Sequence, residues 1–396
     1  MPDRSWINRP LLGLSLYSLL ASNRGSLFTV YFALFLVAEK GASTPIALTI
    51  LSAAYVGGSL VGPIAGRISD RRGRRWPFLV AGEAGSLPLF LLVVVLPGYW
   101  ASGVSFILAE MVLAIGSPAV NAFVVDIMGE GERGRGYGLL SAASSAGAAL
   151  GFPIAGVLIL RYGFNALFLV SGSVMVAALV MAVWLIPDLR SPPAPARRPM
   201  GEMRELTVFS VAVSVRALGW GAVVTFYGTF AYLLGANAFD ISLIAISGFI
   251  VGAVISAPMG RLVDRVGQIR SMIWGAAISL FAMVFYFLTT TWVELIPAQV
   301  TYRVGFALMN PAMLSWVGTL APSGRRAEYM GFFSLVNSTL WSLGPLAGAI
   351  ALQAWGPQGL FGFAVGVTLI SLVSIPVLYR SRLKGPAVPP ARVPIG

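Results

Sequence analysis

The chain has 396 residues, of which 57% are hydrophobic and only 11% are charged, and its formal net charge is +12. Soluble domains usually carry about 25% charged residues, so this composition excludes a protein wetted on all sides and indicates a chain that resides in lipid. The chain contains no His and no Cys, which excludes disulfides, zinc sites built on those residues, thiol catalysis and imidazole acid–base chemistry.

Twelve apolar stretches are each long enough for the roughly 20 residues that a helix needs to cross a bilayer. The first follows only ten residues and has no small-residue cleavage site, so we expect it to be retained rather than removed as a signal peptide. These stretches predict an all-α membrane protein with spans near 11–37, 45–66, 77–97, 103–127, 136–160, 165–187, 207–234, 240–260, 271–290, 294–320, 329–353 and 359–379.

The basic residues predict how the spans are oriented. If the N-terminus is cytoplasmic, the cytoplasmic segments hold 22 of the 27 Lys and Arg residues, and the opposite side holds only Lys40 and Arg161. This asymmetry predicts an integral protein of the cytoplasmic (inner) membrane with both termini in the cytoplasm. Topology and contact with lipid headgroups then account for the positive charge, so nucleic acid is not an expected partner.

A stretch rich in proline and arginine interrupts the series after the sixth span. We expect residues 188–206 to form a cytoplasmic linker between an N-terminal six-helix bundle, 1–187, and a C-terminal six-helix bundle, 207–396. The halves repeat, because 66–75 after span two matches 260–270 after span eight, and Pro118 matches Pro311. Parallel repeats are a transporter architecture, with the substrate site near mid-bilayer between the halves.

The repeated loop after span two has the pattern G-x-x-x-D-R-x-G-R-R, and over its whole length the chain resembles the major facilitator superfamily. The resemblance implies the major facilitator fold, with twelve transmembrane helices in two pseudo-symmetric bundles and alternating access to a central site. The alternative role for the loop aspartate, Asp70, is a cap that ends its helix. The resemblance implies a gating role for Gly66, Asp70, Arg71, Gly73 and Arg74, with Asp126 as a partner of Arg74 or Arg75, and a weaker role for Asp264 and Arg265.

Span five carries a second, narrower resemblance, to the glycine–proline motif of the drug:proton antiporters in that superfamily. Phe152 is inserted between the glycine and the proline, so the match is imperfect. The resemblance implies export, and the alternative is close helix packing by small residues. The motif residues are Gly138, Gly147, Gly151, Pro153 and Gly156.

Charged residues lie within the four spans that the resemblance assigns to the central cavity. They are Arg24, Glu110, Arg216 and Arg303, in spans one, four, seven and ten. A charge facing lipid costs at least about 2.5–3.5 kcal/mol, so we expect all four to face the cavity. Helical spacing puts further side chains on the same faces, and these complete the expected substrate cavity: Phe28, Tyr31, Ser117, Asn121, Trp220, Tyr227 and Asn310.

Glu110 is the candidate proton carrier, because it is the only acid that we expect well inside a cavity span. Burial favours the neutral form of a carboxylate and a nearby Arg favours the charged form, and alternating access can switch between the two. The alternative is a permanent ion pair with a cavity Arg. Glu83 in span three is a weaker candidate, because that span is usually peripheral in this fold. Many exporters of the superfamily have an Arg in span four where this chain has Glu110, so that motif does not carry over.

These features predict a secondary active transporter that exports small amphipathic compounds, drugs or metabolites, by proton-coupled antiport. The alternative is a transporter of an organic anion, because three cavity Arg residues against one Glu leave a positive site. A non-transporting receptor or scaffold would not need duplicated gating loops. An enzyme is not expected, because the sequence has no nucleotide loop, metal cluster or nucleophile–base set. We expect a monomer in membrane lipid, with a small-molecule substrate and protons as partners and no cofactor.

Overall fold

The computed structural model describes residues 9–29, 31–120, 123, 133–188, 204–320 and 326–383, and these are almost entirely helical. A short 3₁₀ turn, Trp292–Glu294, precedes the tenth helix. The helices are α1 (Arg9–Thr29), α2 (Tyr31–Ala38), α3 (Thr44–Arg72), α4 (Trp76–Val95), α5 (Gly98–Leu113), α6 (Arg133–Leu185), α7 (Arg204–Leu233), α8 (Ala238–Val266), α9 (Gln268–Leu288), α10 (Leu295–Leu320) and α11 (Arg326–Leu383).

Within the described residues the helices make twelve passes. Nine stretches are long and apolar enough to cross a membrane, and two of these, of 44 and 50 residues, are about twice the length of one pass. The helix breaks in each of these two, at Gly163 (φ 76°) and at Gly356 (φ 71°). Nine stretches with two doubled give eleven passes, and α10, with 26 residues, gives the twelfth. An all-α membrane protein with twelve spans is thus confirmed.

The repeated loops after α3 and α8 share a backbone feature that explains their glycines. Gly73 has a φ of +62° and Gly267 a φ of +93°. Side chains other than glycine rarely adopt such a conformation, so the turn between consecutive helices requires glycine at both positions. Among the arginines whose burial the structure describes, most of the exposed ones lie in 66–75 and 260–270. We call this end of the bundle the basic face and the other end the opposite face.

The buried apolar residues divide into three clusters that differ in how they relate the halves. The largest joins the halves at the opposite face, with Phe32 and Phe106 from the first half and Phe226 and Phe361 from the second. Each half has a separate cluster nearer the basic face, around Leu79 in one and around Met313 in the other. The halves therefore share a core at the opposite face and have their own cores towards the basic face.

Candidate transport site

A cavity of about 820 Å³ lies between the halves on the side of the basic face. The N-terminal half supplies most of its wall, and within the described residues the C-terminal half contributes only α11. The rings of Tyr55 and Trp341 face each other across the halves, with centroids 5.0 Å apart. The wall consists of Tyr17, Ser18, Ala21, Ser22, Arg24, Tyr55, Gly58, Ser59, Gly62, Pro63, Glu110, Leu113, Ala114, Ser117, Pro118, Val120, Ser144, Gly331, Ser334, Leu335, Ser338, Trp341 and Ser342.

Arg24 forms a buried ion pair at the edge of this cavity. Its Nη1 donates to Glu83 Oε2 at 2.8 Å and to Oε1 at 3.0 Å, and the Tyr17 hydroxyl donates to Oε1 at 2.6 Å. The side chain of Glu83 is 1% exposed and that of Arg24 is 10% exposed. Glu83 on α4, which we expected to be a peripheral residue, is therefore the counter-ion of the cavity arginine.

Glu110 lies on the same cavity wall as Arg24, at the end of α5. Among the described residues it has no ion pair within 4.0 Å, although it lies within electrostatic range of Arg24 and Glu83. The permanent ion pair that we considered for Glu110 is thus made by Glu83 in this conformation. Glu110 remains a carboxylate that borders open space.

Polar contacts close the opposite face between the halves. The hydroxyls of Tyr31 and Ser242 lie 2.7 Å apart, and Ser242 donates to the carbonyl of Phe152 at 2.8 Å. Ser52 donates to the carbonyl of Ser342 at 2.8 Å. Gly156 packs directly on α8, because a Cβ there would lie 2.9 Å from the Ala238 carbonyl oxygen. These contacts link α2, α3 and span five to the C-terminal half.

Arg216 and Arg303, the two arginines predicted within spans of the C-terminal half, are held by aromatic and sulfur groups. Arg216 is 5% exposed, with Nη2 3.6 Å from Met313 Sδ and its guanidinium 6.0 Å from the Phe306 ring centroid. Arg303 lies 4.1 Å over the Phe249 ring. In the described part of the chain neither has a carboxylate within 4.0 Å, and the Nε of each is buried without a hydrogen-bond acceptor.

Among the described residues, the first repeated loop, 66–75, makes an ion pair at the basic face. Arg74 Nε donates to Asp188 Oδ2 at 3.0 Å, and the hydrogen bond and charge of Asp188 raise the pKa of the Arg74 guanidinium. The adjacent Trp76 donates to the carbonyl of Ala182 at 3.0 Å. These contacts tie the loop to the end of span six, whereas Asp126, the partner we expected, lies outside the described residues.

The predicted cavity and gating residues differ in where the structure places them. Arg24, Glu110 and Ser117 line the cavity, whereas Tyr31, Arg216, Trp220, Tyr227, Arg303 and Asn310 lie outside it in this conformation. Of the residues predicted to act in gating, Gly66 packs on Pro118, and Arg71 and Arg265 are exposed. The side chains of Phe28, Asp70 and Asp264, and all of Asn121, lie outside the described residues, although the backbone of Asp70 is helical and α3 continues past it to Arg72.

Sequence reasoning missed Tyr17, Tyr55 and Trp341. Tyr17 had a usable signal, because it lies seven residues before Arg24 and therefore on the same helix face. Glu83 also had one, because an acid within an apolar span is costly unless it meets a partner. Tyr55 and Trp341 had none, since nothing in their spacing separates a cavity ring from a packing ring.

Comparisons with known proteins agree with this architecture. The family model described as Major Facilitator Superfamily matches residues 14–208 and again 209–394. The "Multidrug resistance protein MdtG" of Salmonella arizonae (strain ATCC BAA-731 / CDC346-86 / RSK2980) is 25% identical over 358 residues, which cover 84% of this chain and 85% of that protein.

Solved transporter structures share the fold at lower identity. A crystal structure of the peptide transporter POT in complex with sulfate superposes with a TM-score of 0.75 at 16% identity, covering 95% of this chain and 94% of that one. A bacterial homologue of the human lysosomal transporter Spinster, in an inward-facing and unoccupied conformation, gives a TM-score of 0.74 at 15% identity, covering 97% and 100%.

Proposed function

Because the chain belongs to the major facilitator superfamily, we propose that it is a secondary active transporter that exports small amphipathic compounds in exchange for protons. Membership makes it a transport protein rather than an enzyme. The relative in Salmonella arizonae is named for multidrug resistance, which supports export of drug-like compounds here. The facing rings of Tyr55 and Trp341 support a substrate with an apolar or aromatic part.

Alternating access is supported by the uneven way in which the halves meet. They share one apolar core at the opposite face and have separate cores nearer the basic face. The polar contacts at the opposite face are single hydrogen bonds, each worth about 0.5–1.5 kcal/mol, so rupture of a few of them is within reach of substrate binding. We propose that the basic face is cytoplasmic and that this conformation faces inward.

One observation carries the proton-coupling part of the proposal. Glu110 borders the cavity without an ion-pair partner in the described residues, while Arg24 is already engaged by Glu83. A carboxylate that is neither permanently paired nor fully solvated can gain and lose a proton as its surroundings change. The carboxylate therefore supplies the chemistry that proton exchange needs, and the paired Arg24 leaves it free to act.

The repeated loops support a gating role at the basic face. Glycines with positive φ fix the turns at Gly73 and Gly267, and Arg74 holds the first loop against Asp188. We propose that Asp70 and Arg71 in the first loop, and Asp264 and Arg265 in the second, engage the neighbouring half when the basic face closes. The cycle then alternates between contacts at the two faces.

An organic anion is the second candidate substrate. The guanidiniums of buried Arg216 and partly buried Arg303 have no carboxylate within 4.0 Å in the part of the chain described, which favours an anionic partner. Neither borders the cavity in this conformation, whereas the unpaired Glu110 does. The cavity charge therefore supports a cationic or neutral compound first.

The test is transport by the reconstituted protein in vesicles, with the planar cation ethidium and the planar anion fluorescein as probes. Vesicles with an acidic interior should accumulate ethidium, and Glu110→Gln should abolish this accumulation while exchange of internal for external ethidium continues. The control Glu294→Gln removes a carboxylate that lies outside the cavity and should behave as the wild type. Accumulation of ethidium by the Glu110→Gln variant would overturn proton coupling through this residue, and uptake of fluorescein alone would favour the anion transporter.

A further inference from the structure

Glu83 and Tyr17 form a buried clamp beside the transport cavity, and neither residue has a place in the cycle described so far. Tyr17 lies on α1 and Glu83 on α4, so the clamp joins two helices of the N-terminal half. Tyr17 is 6% exposed and Glu83 1% exposed. A buried carboxylate in this position is costly unless it is both paired and hydrogen-bonded, so its retention calls for an explanation.

We propose that Glu83, fixed by Tyr17, is a positioning residue that holds the Arg24 guanidinium away from Glu110 and so keeps Glu110 free to exchange protons. The inference rests on the proposed function in one respect, namely that Glu110 is the proton carrier. Glu83 itself does not touch the substrate, because it does not line the cavity.

The hydrogen bonds determine which carboxylate, that of Glu83 or that of Glu110, pairs with the Arg24 guanidinium. Both oxygens of Glu83 accept from Arg24 Nη1, at 3.0 and 2.8 Å, and Oε1 also accepts from the Tyr17 hydroxyl at 2.6 Å. Charge-assisted bonds of this kind are about twice as strong as neutral ones. Three donated bonds therefore anchor one carboxylate, and the same bonds orient Arg24 towards α4.

Solvation decides the competition between the two carboxylates. Glu83 is 1% exposed, whereas Glu110 is partly exposed and borders a cavity of about 820 Å³. An uncompensated charge is far more costly in the buried position than beside open space. The single positive charge of Arg24 can neutralise only one of the two carboxylates, so it pairs with Glu83, where an uncompensated charge would cost more.

The charged and titratable groups around the guanidinium come from several elements. They are Tyr17 on α1, Glu83 on α4 and Glu110 on α5. The facing walls from α3, α6 and α11 add Tyr55, Trp341 and several serines, and among the described residues they add no further charge. If Glu83 were neutral, Glu110 would be the carboxylate left to pair with Arg24.

The expected consequence is a change in the pH at which Glu110 titrates. An Arg that pairs with a carboxylate lowers the pH at which that carboxylate takes up a proton, by about 1–3 pH units. Glu83→Gln should therefore move the titration midpoint of Glu110 to lower pH by at least about one unit, a tenfold change in proton concentration. Tyr17→Phe should move it in the same direction by less, because the ion pair remains.

The experiment is an infrared titration of the full-length protein in detergent. The protonated-carboxyl band of Glu110 is identified by its loss in Glu110→Gln, and its midpoint is followed in the wild type, Glu83→Gln, Tyr17→Phe and the double variant Arg24→Gln/Glu83→Gln. The double variant removes the competing cation together with its partner, so its midpoint should return close to that of the wild type. If Glu83→Gln alone does not fold, the shift in midpoint is measured in Tyr17→Phe instead. The double variant then remains the reference that lacks both Arg24 and Glu83.

The possible results separate this inference from the proposed function. A lowered midpoint in Glu83→Gln that is restored in the double variant supports the clamp, even if vesicles of the wild type prove insensitive to a pH gradient. An unchanged midpoint in folded Glu83→Gln, or an equal shift in the single and double variants, overturns the clamp, even if transport by the wild type is driven by protons.

Discussion

The two halves of this transporter hold the arginines within their membrane spans in different ways. In the N-terminal half Arg24 is paired with Glu83 at 2.8 Å and the pair is buttressed by Tyr17. In the C-terminal half Arg216 and Arg303 contact Met313 and the ring of Phe249, with no carboxylate within 4.0 Å among the described residues. Repeated halves have thus diverged, so that one carries compensated charge beside the cavity and the other carries cations set against aromatic rings.

The glycine–proline segments of the two halves differ in a parallel way. In span five Gly151 packs on Asn23 within its own half, whereas Gly156 packs on α8 of the other half. In span eleven the corresponding glycines Gly344 and Gly348 both pack on α7 of their own half. Of these four glycines, Gly156 is therefore the one whose contact with the other half must separate when the opposite face opens.

The largest effect is expected from exchanging each kind of arginine for methionine, which has a similar length. Arg24→Met should lower the free energy of unfolding by about 3–5 kcal/mol, because it leaves the carboxylate of Glu83 buried and unpaired. Arg216→Met removes a charge that has no carboxylate partner in the described residues, so it should be neutral or stabilising. Thermal unfolding of both variants in detergent measures the difference. Equal destabilisation would mean that the halves do not differ in this respect.

A smaller effect is expected at the glycines of span five. A Cβ on Gly156 would meet Ser242 Oγ and lie 3.0 Å from Phe239 Cα, so Gly156→Ala should disfavour closure of the opposite face by about 1–3 kcal/mol, or roughly 5–150-fold in population. The chain has no Cys, so a single cysteine at Ser52, 2% exposed between the halves, can report the opening by its labelling rate.

The matched control is Gly147→Ala, whose Cβ would lie 2.8 Å from the Leu19 carbonyl carbon inside one half. It should lower stability and leave the labelling of the cysteine at position 52 unchanged. If both variants alter labelling equally, the contact of Gly156 with α8 does not govern closure.

The two halves also show which structural features can be predicted from the sequence. Hydropathy predicted the twelve spans, with breaks that contain Gly163 and Gly356, because a bilayer imposes length and composition directly. Charge within the spans and helical spacing also predicted Arg24, Glu110 and Ser117 as cavity residues, and all three line the cavity. Pairing between helices could not be predicted, because the partner of Arg24 depends on how α4 is rotated against α1. The expectation that span three is peripheral therefore led away from Glu83.

Several residues predicted to line the cavity lie outside it because of the conformation that the transporter adopts in this structure. Tyr31 was expected in the cavity because helical spacing puts it on the same side of its helix as Arg24. In the structure it lies where the opposite face is closed, and its hydroxyl contacts that of Ser242. A sequence gives the face of a helix and not the state of the transporter. Residues nearer the opposite face therefore stay predictions for a conformation that is open on that side.

A still smaller effect is expected from removing the hydroxyl of Tyr31. Tyr31→Phe removes its hydrogen bonds to the other half and should shift the population towards opening of the opposite face by about 0.5–1.5 kcal/mol, a factor of about ten at most. The control Tyr286→Phe loses a bond of 2.6 Å to Gln299 inside one half and should not change labelling at position 52. No difference between the two variants would show that the Tyr31 contact is dispensable.

The smallest effect is expected at an exposed carboxylate of the C-terminal half, in contrast to buried Glu83. The backbone amides of Thr290 and Thr291 donate to Glu294 and lower the pKa of its carboxyl. A lowered pKa in the folded state stabilises the protein above the unfolded value of about 4.3, and this is lost as the pH falls through the folded value. Glu294→Gln should therefore reduce the melting temperature slightly at neutral pH and not at pH well below 4. A reduction of equal size at both would exclude an origin in the charge.

The most direct test of the central claim, that the free carboxylate in the N-terminal wall carries the proton, is a count of protons released when ethidium binds. The measurement uses detergent-solubilised protein in weakly buffered solution near neutral pH. The wild type and Glu294→Gln should each release up to about one proton per bound ethidium, because a single carboxylate titrates. Glu110→Gln should bind ethidium and release none. Release by the Glu110→Gln variant equal to that of the wild type, or no release by the wild type over the neutral range, would contradict the account.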